Sequence, residues 1–567
     1  MYRVRRAGVV LSCIAAMMMN LAWAADPAPA PASAPNADSS AELRRLKTQL
    51  DEQRKQIEQL LATVEAQGKL LERIDATAAT EHNTPRNPSL LASTTPMLAP
   101  PSATAAPAVG SPLPQAAAAA PAATAPPTPL QLQIGNVTIM PVGFLDAAGV
   151  WRSKDAGSGI GSNFGSIPFD NAVPGGKLKE FRFSPQNSRI GFRIDGNWKG
   201  LRFMNYLETD FLGTGAANNI GVTNGAFVPR LRLFWVSMRK GGWEVLGGQS
   251  WSMFSANRKG ISALPGDVFF SQAFDVNYLI GMPWTRQPGF RVLYHGPGDK
   301  MTFGLSAENP NQYMGGYGGG GQIVLPAALS AVGGTQLDNG SASFLSTPNS
   351  MPDIIAKLAF DPSSKVHFEI GGITRRFKIY NTTTGQPTSG QTFSKGGYGG
   401  EANGNFEVAK GFRLISNNQF GDGIGRYFFG NAPDVVVRAN GSLSPIHTFT
   451  TTDGFEATIQ KTLLYFYFGG IYIGKNVAVD ANGTSLVGWG YTGSPNSQNK
   501  SVNEYTFGFN QTLWKSPAYG AINLMGQYEF ATRTPWYVAP GALDHASDHT
   551  VYFDLRYTLP GGAPAAK

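Results

Sequence analysis

Residues 187–211 read NSRIGFRIDGNWKGLRFMNYLETDF, and this stretch decides the fold because it contains two alternating strands joined by a tight NWKG turn. In the first strand Ile190 and Phe192 fall on one face and Arg189 and Arg193 on the other, since neighbouring side chains of a strand point to opposite faces. The second strand repeats the alternation, with leucine and phenylalanine opposed to arginine, tyrosine and acidic residues. The stretch therefore predicts a β-hairpin with one apolar and one charged face.

The same pattern recurs along the chain without intervening helices and predicts sixteen strands. They span residues 137–151, 182–196, 199–212, 228–240, 242–252, 286–296, 299–308, 352–361, 364–379, 396–409, 411–424, 448–460, 462–475, 501–515, 519–533 and 548–559. The connections between them alternate between very short turns and long loops, as in an outer-membrane barrel with tight periplasmic and large extracellular ends. We therefore predict an all-β transmembrane barrel of about 16 antiparallel strands, with 14 or 18 left open.

Composition agrees with a barrel. Only 15% of the residues are charged, 68 are glycine, and the mean hydropathy is −0.15. No apolar run is long enough to cross a membrane as a helix, whereas in a barrel every second residue dilutes the hydrophobicity. Aromatic residues near predicted strand ends are expected to form interfacial girdles. These are Trp151, Trp198, Trp235, Trp243, Phe466 and Trp514.

The N-terminal part predicts three further segments. Residues 1–24 resemble a cleaved signal peptide, which would contain the one cysteine, Cys13. Residues 25–75 contain an α-helical coiled-coil segment, because apolar residues from Leu43 to Ile74 recur at heptad spacing. A single amphipathic helix lying on a membrane is the alternative. Residues 76–133 form a flexible linker rich in alanine and proline, 134–560 the barrel, and 561–567 a short C-terminal tail.

Most of the formal net charge of +8 falls in the predicted barrel, which favours anions in a pore. Contact of loop cations with lipopolysaccharide would account for the same excess. Strand alternation places several arginines on the water-filled face. The candidate pore-lining and substrate-contacting residues are Arg189, Arg193, Arg230, Arg232, Arg291 and Arg375. The guanidinium fork suits carboxylates; alternatively, each arginine pairs with a facing acid and stiffens the wall.

The loop at 251–285 is more apolar than an exposed loop should be, which indicates that it folds into the barrel and constricts it. Its candidate constriction residues are Arg258, Lys259, Asp267 and Asp275. A surface loop packed on a neighbouring subunit is the alternative. No spacing of Ser, His and Asp indicates catalysis, so we expect no enzyme, no cofactor and no resident metal.

Several segments resemble DcaP-like porins, which are trimeric outer-membrane channels with an N-terminal coiled coil. The resemblance rests on the 187–211 hairpin, LRLFWVSM followed by LGGQSWSMFS, AENP at 307–310 and FGDGIGRYF at 420–428. It implies a homotrimer of 16-stranded barrels that passes small organic anions such as dicarboxylates. The inward arginines of that family would correspond to Arg189, Arg193, Arg230 and Arg232.

These observations predict a diffusion porin in the outer membrane of a Gram-negative bacterium, with the coiled coil in the periplasm. Expected partners are outer-membrane lipid and lipopolysaccharide, small organic anions, and peptidoglycan through the coiled coil; no nucleic acid is expected. The main alternative is an envelope-tethering protein whose barrel is mainly an anchor. A hydrolase in the outer membrane is a third hypothesis.

Overall fold

A computed structural model describes residues 130–213, 227–268, 271–339, 348–381 and 390–560. The predicted signal peptide, coiled coil and C-terminal tail, and the linker up to residue 129, lie outside the described residues. The strands are β1 (Leu132–Ile134), β2 (Val137–Arg152), β3 (Glu180–Ser184), β4 (Arg189–Trp198), β5 (Leu201–Gly213), β6 (Val228–Lys240), β7 (Trp243–Trp251), β8 (Arg286–His295), β9 (Met301–Glu308), β10 (Asp353–Ser363) and β11 (Val366–Asn381). They continue as β12 (Gln391–Ala409), β13 (Phe412–Asp422), β14 (Val435–Val437), β15 (Leu443–Pro445), β16 (His447–Ile459), β17 (Thr462–Ile473), β18 (Asn476–Val479), β19 (Leu486–Trp489), β20 (Asn499–Ser516), β21 (Gly520–Pro535) and β22 (Ala546–Thr558).

Sixteen of these strands close into an antiparallel barrel, and each predicted strand has a counterpart. In order around the barrel they are β2, β4 to β13, β16, β17 and β20 to β22, and the barrel closes where β22 pairs with β2. Short β3 continues the line of β4 along the upper part of β2, and the two replace the single strand predicted at 182–196. The two-stranded sheets β14–β15 and β18–β19 belong to long connections and had not been predicted.

The helical content of the described residues is small. Five short 3-10 helices lie in the connections, at Phe164–Ser166, Pro297–Asp299, Tyr317–Gly319, Ala327–Val332 and Gly425–Tyr427. Among the described residues, no helix is long and apolar enough to cross a membrane.

The hairpin at 187–211 forms as predicted. Arg189 lies opposite Asp210 and Trp198 opposite Leu201. The two loop residues Lys199 and Gly200 both have positive φ, 48° and 79°. Positive φ at both central positions is the signature of a type I′ turn, whose twist matches that of the flanking strands.

The outward face carries exposed apolar side chains, whereas the inward face carries buried polar ones. On β6, for example, Phe234, Val236 and Met238 are exposed. Trp198 and Trp243 are also exposed, as expected for an aromatic girdle. The prediction for Trp235 was wrong, because this side chain is only 2% exposed and belongs to a buried cluster. A β-bulge in β6 is the physical reason: Glu208 pairs with Leu233 and Thr209 with Leu231, so the intervening residue is extra and the alternation shifts.

Candidate functional site: an arginine cluster beside an inward-folded loop

The connection between β7 and β8, residues 252–285, crosses the interior of the barrel. Its backbone N–H groups donate to side chains on strands far apart in the barrel. The donors and acceptors are Met253 to Glu308 on β9 (2.8 Å), Gly260 to Asp361 on β10 (2.9 Å), Asn257 to Glu369 on β11 (3.1 Å), Gln272 to Tyr467 on β17 (3.0 Å), Ile280 to Glu504 on β20 (2.9 Å) and Phe274 to Gln527 on β21 (3.0 Å). Only a loop inside the barrel can reach all these strands.

Close packing with the wall fixes the end of this loop. Gly281 has a φ of +79°, and a Cβ at this position would lie 2.4 Å from the carbonyl oxygen of Thr451 and 2.5 Å from that of Gly470. Both are backbone atoms of barrel strands, so they cannot move aside as a side chain could. Glycine is therefore required here for conformation and for space.

Three of the predicted pore arginines meet at the β4–β6 wall. On β6, the bulge residue Arg232 donates through Nε to Glu208 (2.8 Å) and through Nη1 to Asp210 (2.9 Å). Arg230 also pairs with Asp210, through Nε at 2.8 Å and Nη2 at 3.1 Å. Arg232 is 2% exposed, whereas the Arg230 side chain is 35% exposed. The first is thus part of the wall, while the second faces open space.

Tyr278 of the inward loop joins this wall to the loop. Arg189 donates through Nη2 to the Tyr278 hydroxyl at 3.0 Å, and Arg232 lies 3.4 Å from the same oxygen. Burial alone would raise the pKa of the Tyr278 hydroxyl, but the adjacent Arg189 and Arg232 guanidinium groups outweigh burial and lower that pKa. The direction of this shift follows from the positive charge of the adjacent guanidinium groups.

A fourth arginine, Arg286, was missed by the sequence analysis. Its guanidinium lies 5.3 Å from the ring centre of Trp251, and that of Arg232 lies 5.6 Å from the same ring. Nη1 of Arg286 is buried and has no hydrogen-bond partner among the described residues. Alternation along β8, in which exposed Phe290 points outward, assigns Arg286 to the outward face. The strand end turns the side chain inward instead, which period-two reasoning cannot foresee.

The other three predicted pore arginines lie apart from this cluster. Arg193 pairs with Asp195 at 2.7 Å, one position along on the same face of β4. Arg291 is 4% exposed and donates to the hydroxyl of Ser250 at 2.9 Å. Arg375 is also buried and has two carboxylate partners and two backbone carbonyl acceptors. These are Asp353 (2.9 Å), Asp434 (2.7 Å), Gly423 (2.5 Å) and Asn311 (2.6 Å).

The four predicted constriction residues occupy different environments. Arg258 donates to both carboxylate oxygens of Glu456, at 3.0 and 2.6 Å, and Lys259 is exposed. Asp267 accepts a hydrogen bond from the hydroxyl of Ser262 at 3.0 Å, and burial raises the pKa of its carboxyl group.

The fourth, Asp275, is 1% exposed and accepts hydrogen bonds from the Tyr552 hydroxyl (2.6 Å) and the Ser162 N–H (3.0 Å). Burial raises the pKa of Asp275, and these hydrogen bonds oppose that shift. Asp275 therefore lies where the loop is fastened to the wall rather than on an open surface.

A closed barrel of sixteen antiparallel strands, an apolar outer face and a loop folded inward after the fifth barrel strand define a porin-like outer-membrane channel fold. The DcaP outer-membrane channel of Acinetobacter baumannii has this fold at a TM-score of 0.51 and 15% identity, over 75% of this chain and 99% of that chain. The resemblance to DcaP-like porins is thereby confirmed at the level of the fold.

Two further solved structures are similar at lower scores. The anion-selective porin from Comamonas acidovorans aligns at 14% identity and a TM-score of 0.41, over 75% of this chain and 100% of that chain. OmpF of Salmonella typhi aligns at 10% identity and a TM-score of 0.40, over 76% and 100%. No protein-family model matches the chain, and the search of curated proteins finds no match.

Proposed function

We propose that this protein is an outer-membrane diffusion porin of a Gram-negative bacterium that passes small hydrophilic solutes, preferentially anions such as dicarboxylates. The observation that carries the proposal is the cluster of Arg189, Arg230, Arg232 and Arg286. Among the described residues, these four guanidinium groups are matched by two carboxylates, those of Glu208 and Asp210. The cluster thus has an excess of positive charge next to a loop that narrows the barrel.

The free donors of the cluster support carboxylates as solutes. Arg230 is partly exposed, and buried Nη1 of Arg286 has no hydrogen-bond partner among the described residues. A guanidinium with unused N–H groups binds a carboxylate through charge-assisted hydrogen bonds, which are stronger than neutral ones. Arg230 offers the donors that a solute can reach, while the charge of buried Arg286 adds to the positive potential that raises the local anion concentration.

The experiment is a planar-bilayer recording of the purified protein under a salt gradient. We expect conducting channels whose reversal potential shows preference for chloride over potassium. Arg286→Gln should shift the reversal potential towards cation preference and weaken block by dicarboxylates more than block by monocarboxylates. Arg376→Gln is the matched control, because Arg376 is exposed on β11 and donates to Ser394 at 2.9 Å, away from the cluster.

The outcomes separate the hypotheses. Cation preference in the unmodified protein would contradict the anion proposal but leave the porin intact. A barrel that never conducts would favour the envelope-tethering alternative, in which residues 25–75 reach peptidoglycan. We further propose that the protein assembles as a homotrimer and contacts lipid and lipopolysaccharide through its outer face.

A further inference from the structure

The outer face of the barrel has a polar patch at mid-height, on strands β13, β16, β17 and β20. On β16, Thr450, Thr452 and Glu456 occupy the inward positions, so Thr451 and Asp453 occupy the outward ones; Thr451 is 5% exposed under its neighbours and Asp453 is half-buried. Asp453 is the central residue of the 13-residue strand His447–Ile459. A carboxylate therefore lies midway along a membrane-spanning strand, on the side away from the lumen.

Hydrogen bonds link the first part of this patch. The Thr451 hydroxyl contacts Asp453 Oδ2 at 2.6 Å and Asn418 Oδ1 at 3.0 Å. The Asn418 side chain donates to the Ser416 hydroxyl at 3.0 Å, and Ser416 lies directly opposite Asp453 in the β13–β16 pairing. Four outward polar side chains thus form one network across two strands.

The patch continues onto β20 across a small residue. Thr451 lies opposite Gly470, and Gly470 lies opposite Asn503. Asn503 leans over this glycine, because its Oδ1 is 3.1 Å from the position of a Cβ added at Gly470. The Asn503 side chain has no hydrogen-bond partner among the described residues, so its amide N–H groups are available at the edge opposite Asp453.

Hydrocarbon tails cannot hydrogen-bond to the half-buried Asp453 carboxylate or to the Asn503 amide. Placing an aspartate near the bilayer centre costs about 2.5–3.5 kcal/mol on insertion scales, and unpaired polar groups in lipid add to the cost. The opposite wall shows what a lipid-facing strand of this barrel looks like: β6, eight strands away from β16, exposes Leu231, Phe234, Val236 and Met238. The polar patch, four of sixteen strands wide, breaks this rule with a carboxylate at mid-strand.

We infer that this sector is a subunit interface and that its occupant is a second copy of this chain; the inference rests on the proposed homotrimer. The patch has an anionic edge at Asp453 and an amide-donor edge at Asn503, separated by Gly470, which leaves room for close approach. When the Asp453 edge of one copy faces the Asn503 edge of the next, the carboxylate meets the amide donor. Such heterologous contacts close into a ring when the rotation permits, and a sector of a quarter of the barrel suits a small ring.

Disulfide formation between engineered cysteines tests this contact. In the double variant Ser416→Cys/Asn503→Cys the two positions lie three strand spacings apart, about 14 Å, whereas a disulfide needs Cα atoms about 4.4–6.8 Å apart. A disulfide between them must therefore join two chains. The natural chain adds only Cys13, inside the predicted signal peptide. We expect oxidation of the purified oligomer to give covalent dimers and trimers on denaturing gels that revert to monomers on reduction.

The matched control is Leu231→Cys/Met238→Cys on β6, which should remain monomeric on the same gels. Purified trimers that are linked by the control pair and not by the patch pair would overturn the inference while leaving the proposed homotrimer standing. A protein that is monomeric by native mass measurement before oxidation would overturn both.

A second variant, Asp453→Leu, should change heat stability in opposite directions depending on whether Asp453 faces another copy or lipid. If Asp453 faces another copy, Asp453→Leu should lower the temperature at which trimers dissociate on gels while the separated barrels stay folded. If Asp453 faces lipid, the same variant removes a cost, so trimers would be unaffected and the barrel more heat-resistant. The second result would refute the inference even if the cysteines had failed to meet for geometric reasons.

Discussion

Arg232→Gln should destabilise the barrel strongly, because the structure makes Arg232 a component of the wall. The side chain is 2% exposed and pairs with Glu208 and Asp210, which are 2% and 0% exposed. Removing one partner of a buried ion pair typically costs about 3–5 kcal/mol, since an uncompensated charge stays behind. Here one carboxylate is protected: Asp210 keeps two hydrogen bonds from Arg230.

The loss falls on Glu208, whose remaining side-chain hydrogen-bond partner among the described residues is the Tyr206 hydroxyl at 3.1 Å. We therefore expect the lower end of the range, about 3 kcal/mol. The double variant Arg232→Gln/Glu208→Gln should recover most of this loss, because two neutral amides leave no buried charge. The measurement is urea unfolding of the four proteins in detergent micelles, followed by tryptophan fluorescence and analysed as a double-mutant cycle.

Two results would contradict this reasoning. One is an Arg232→Gln variant within about 0.5 kcal/mol of the parent, the size of an ordinary surface substitution. The other is a double variant no more stable than the single one. Arg286→Gln provides the contrast: it removes a guanidinium that has no carboxylate partner among the described residues, so it should change selectivity while leaving the unfolding midpoint nearly unchanged.

Three further predictions follow from the loop and the N-terminal segment. Gly281→Ala should displace the inward loop, because its Cβ would overlap the carbonyls of Thr451 and Gly470, and single-channel recordings should show altered conductance and more frequent fluctuations; a trace identical to the parent would contradict this. Because burial raises the pKa of Asp275, its charged form opposes docking of the loop, so the stability that Asp275 contributes is greatest at acid pH and is lost as pH rises through the raised pKa. Asp275→Asn should therefore flatten the pH dependence of the unfolding midpoint, and an unchanged profile would argue against it. Deleting residues 41–75 should leave the proposed barrel trimer intact, because we expect the barrel walls to supply most of its contact area; monomers on native gels would refute this.

The barrel could be predicted from sequence because its signal is repeated at every strand. Period-two alternation and the contrast between turn and loop lengths act locally, so each strand is an independent test of the same architecture. The residues that the sequence analysis misplaced lie where this period is interrupted. The bulge at Arg232 turned Trp235 inward, and the strand end at Arg286 turned a nominally outward arginine towards the interior.

The candidate site was less predictable because partners of a given arginine come from strands and loops distant in sequence. Alternation places both Arg375 and Arg230 on the inner side of the wall, but it does not tell which of the two is buried against acidic partners. In the structure Arg375 is enclosed by Asp353 and Asp434, whereas Arg230 is 35% exposed beside a shared carboxylate. The same residue type on the same face can thus be a structural ion-pair partner or a group accessible to solute.

Counting charges on the inner face is therefore a poor guide to the field that a solute meets, because buried ion pairs cancel locally and contribute little beyond their own neighbourhood. What matters is the charge left over after pairing. Arg232 and Arg230 share the carboxylates of Glu208 and Asp210, so the surplus falls on Arg189 and Arg286, which have Tyr278 and Trp251 as neighbours in place of acids. The hairpin at 187–211 supplies Arg189 together with both acids, and the selectivity role proposed for it depends on a residue, Arg286, that lies 75 positions beyond its end.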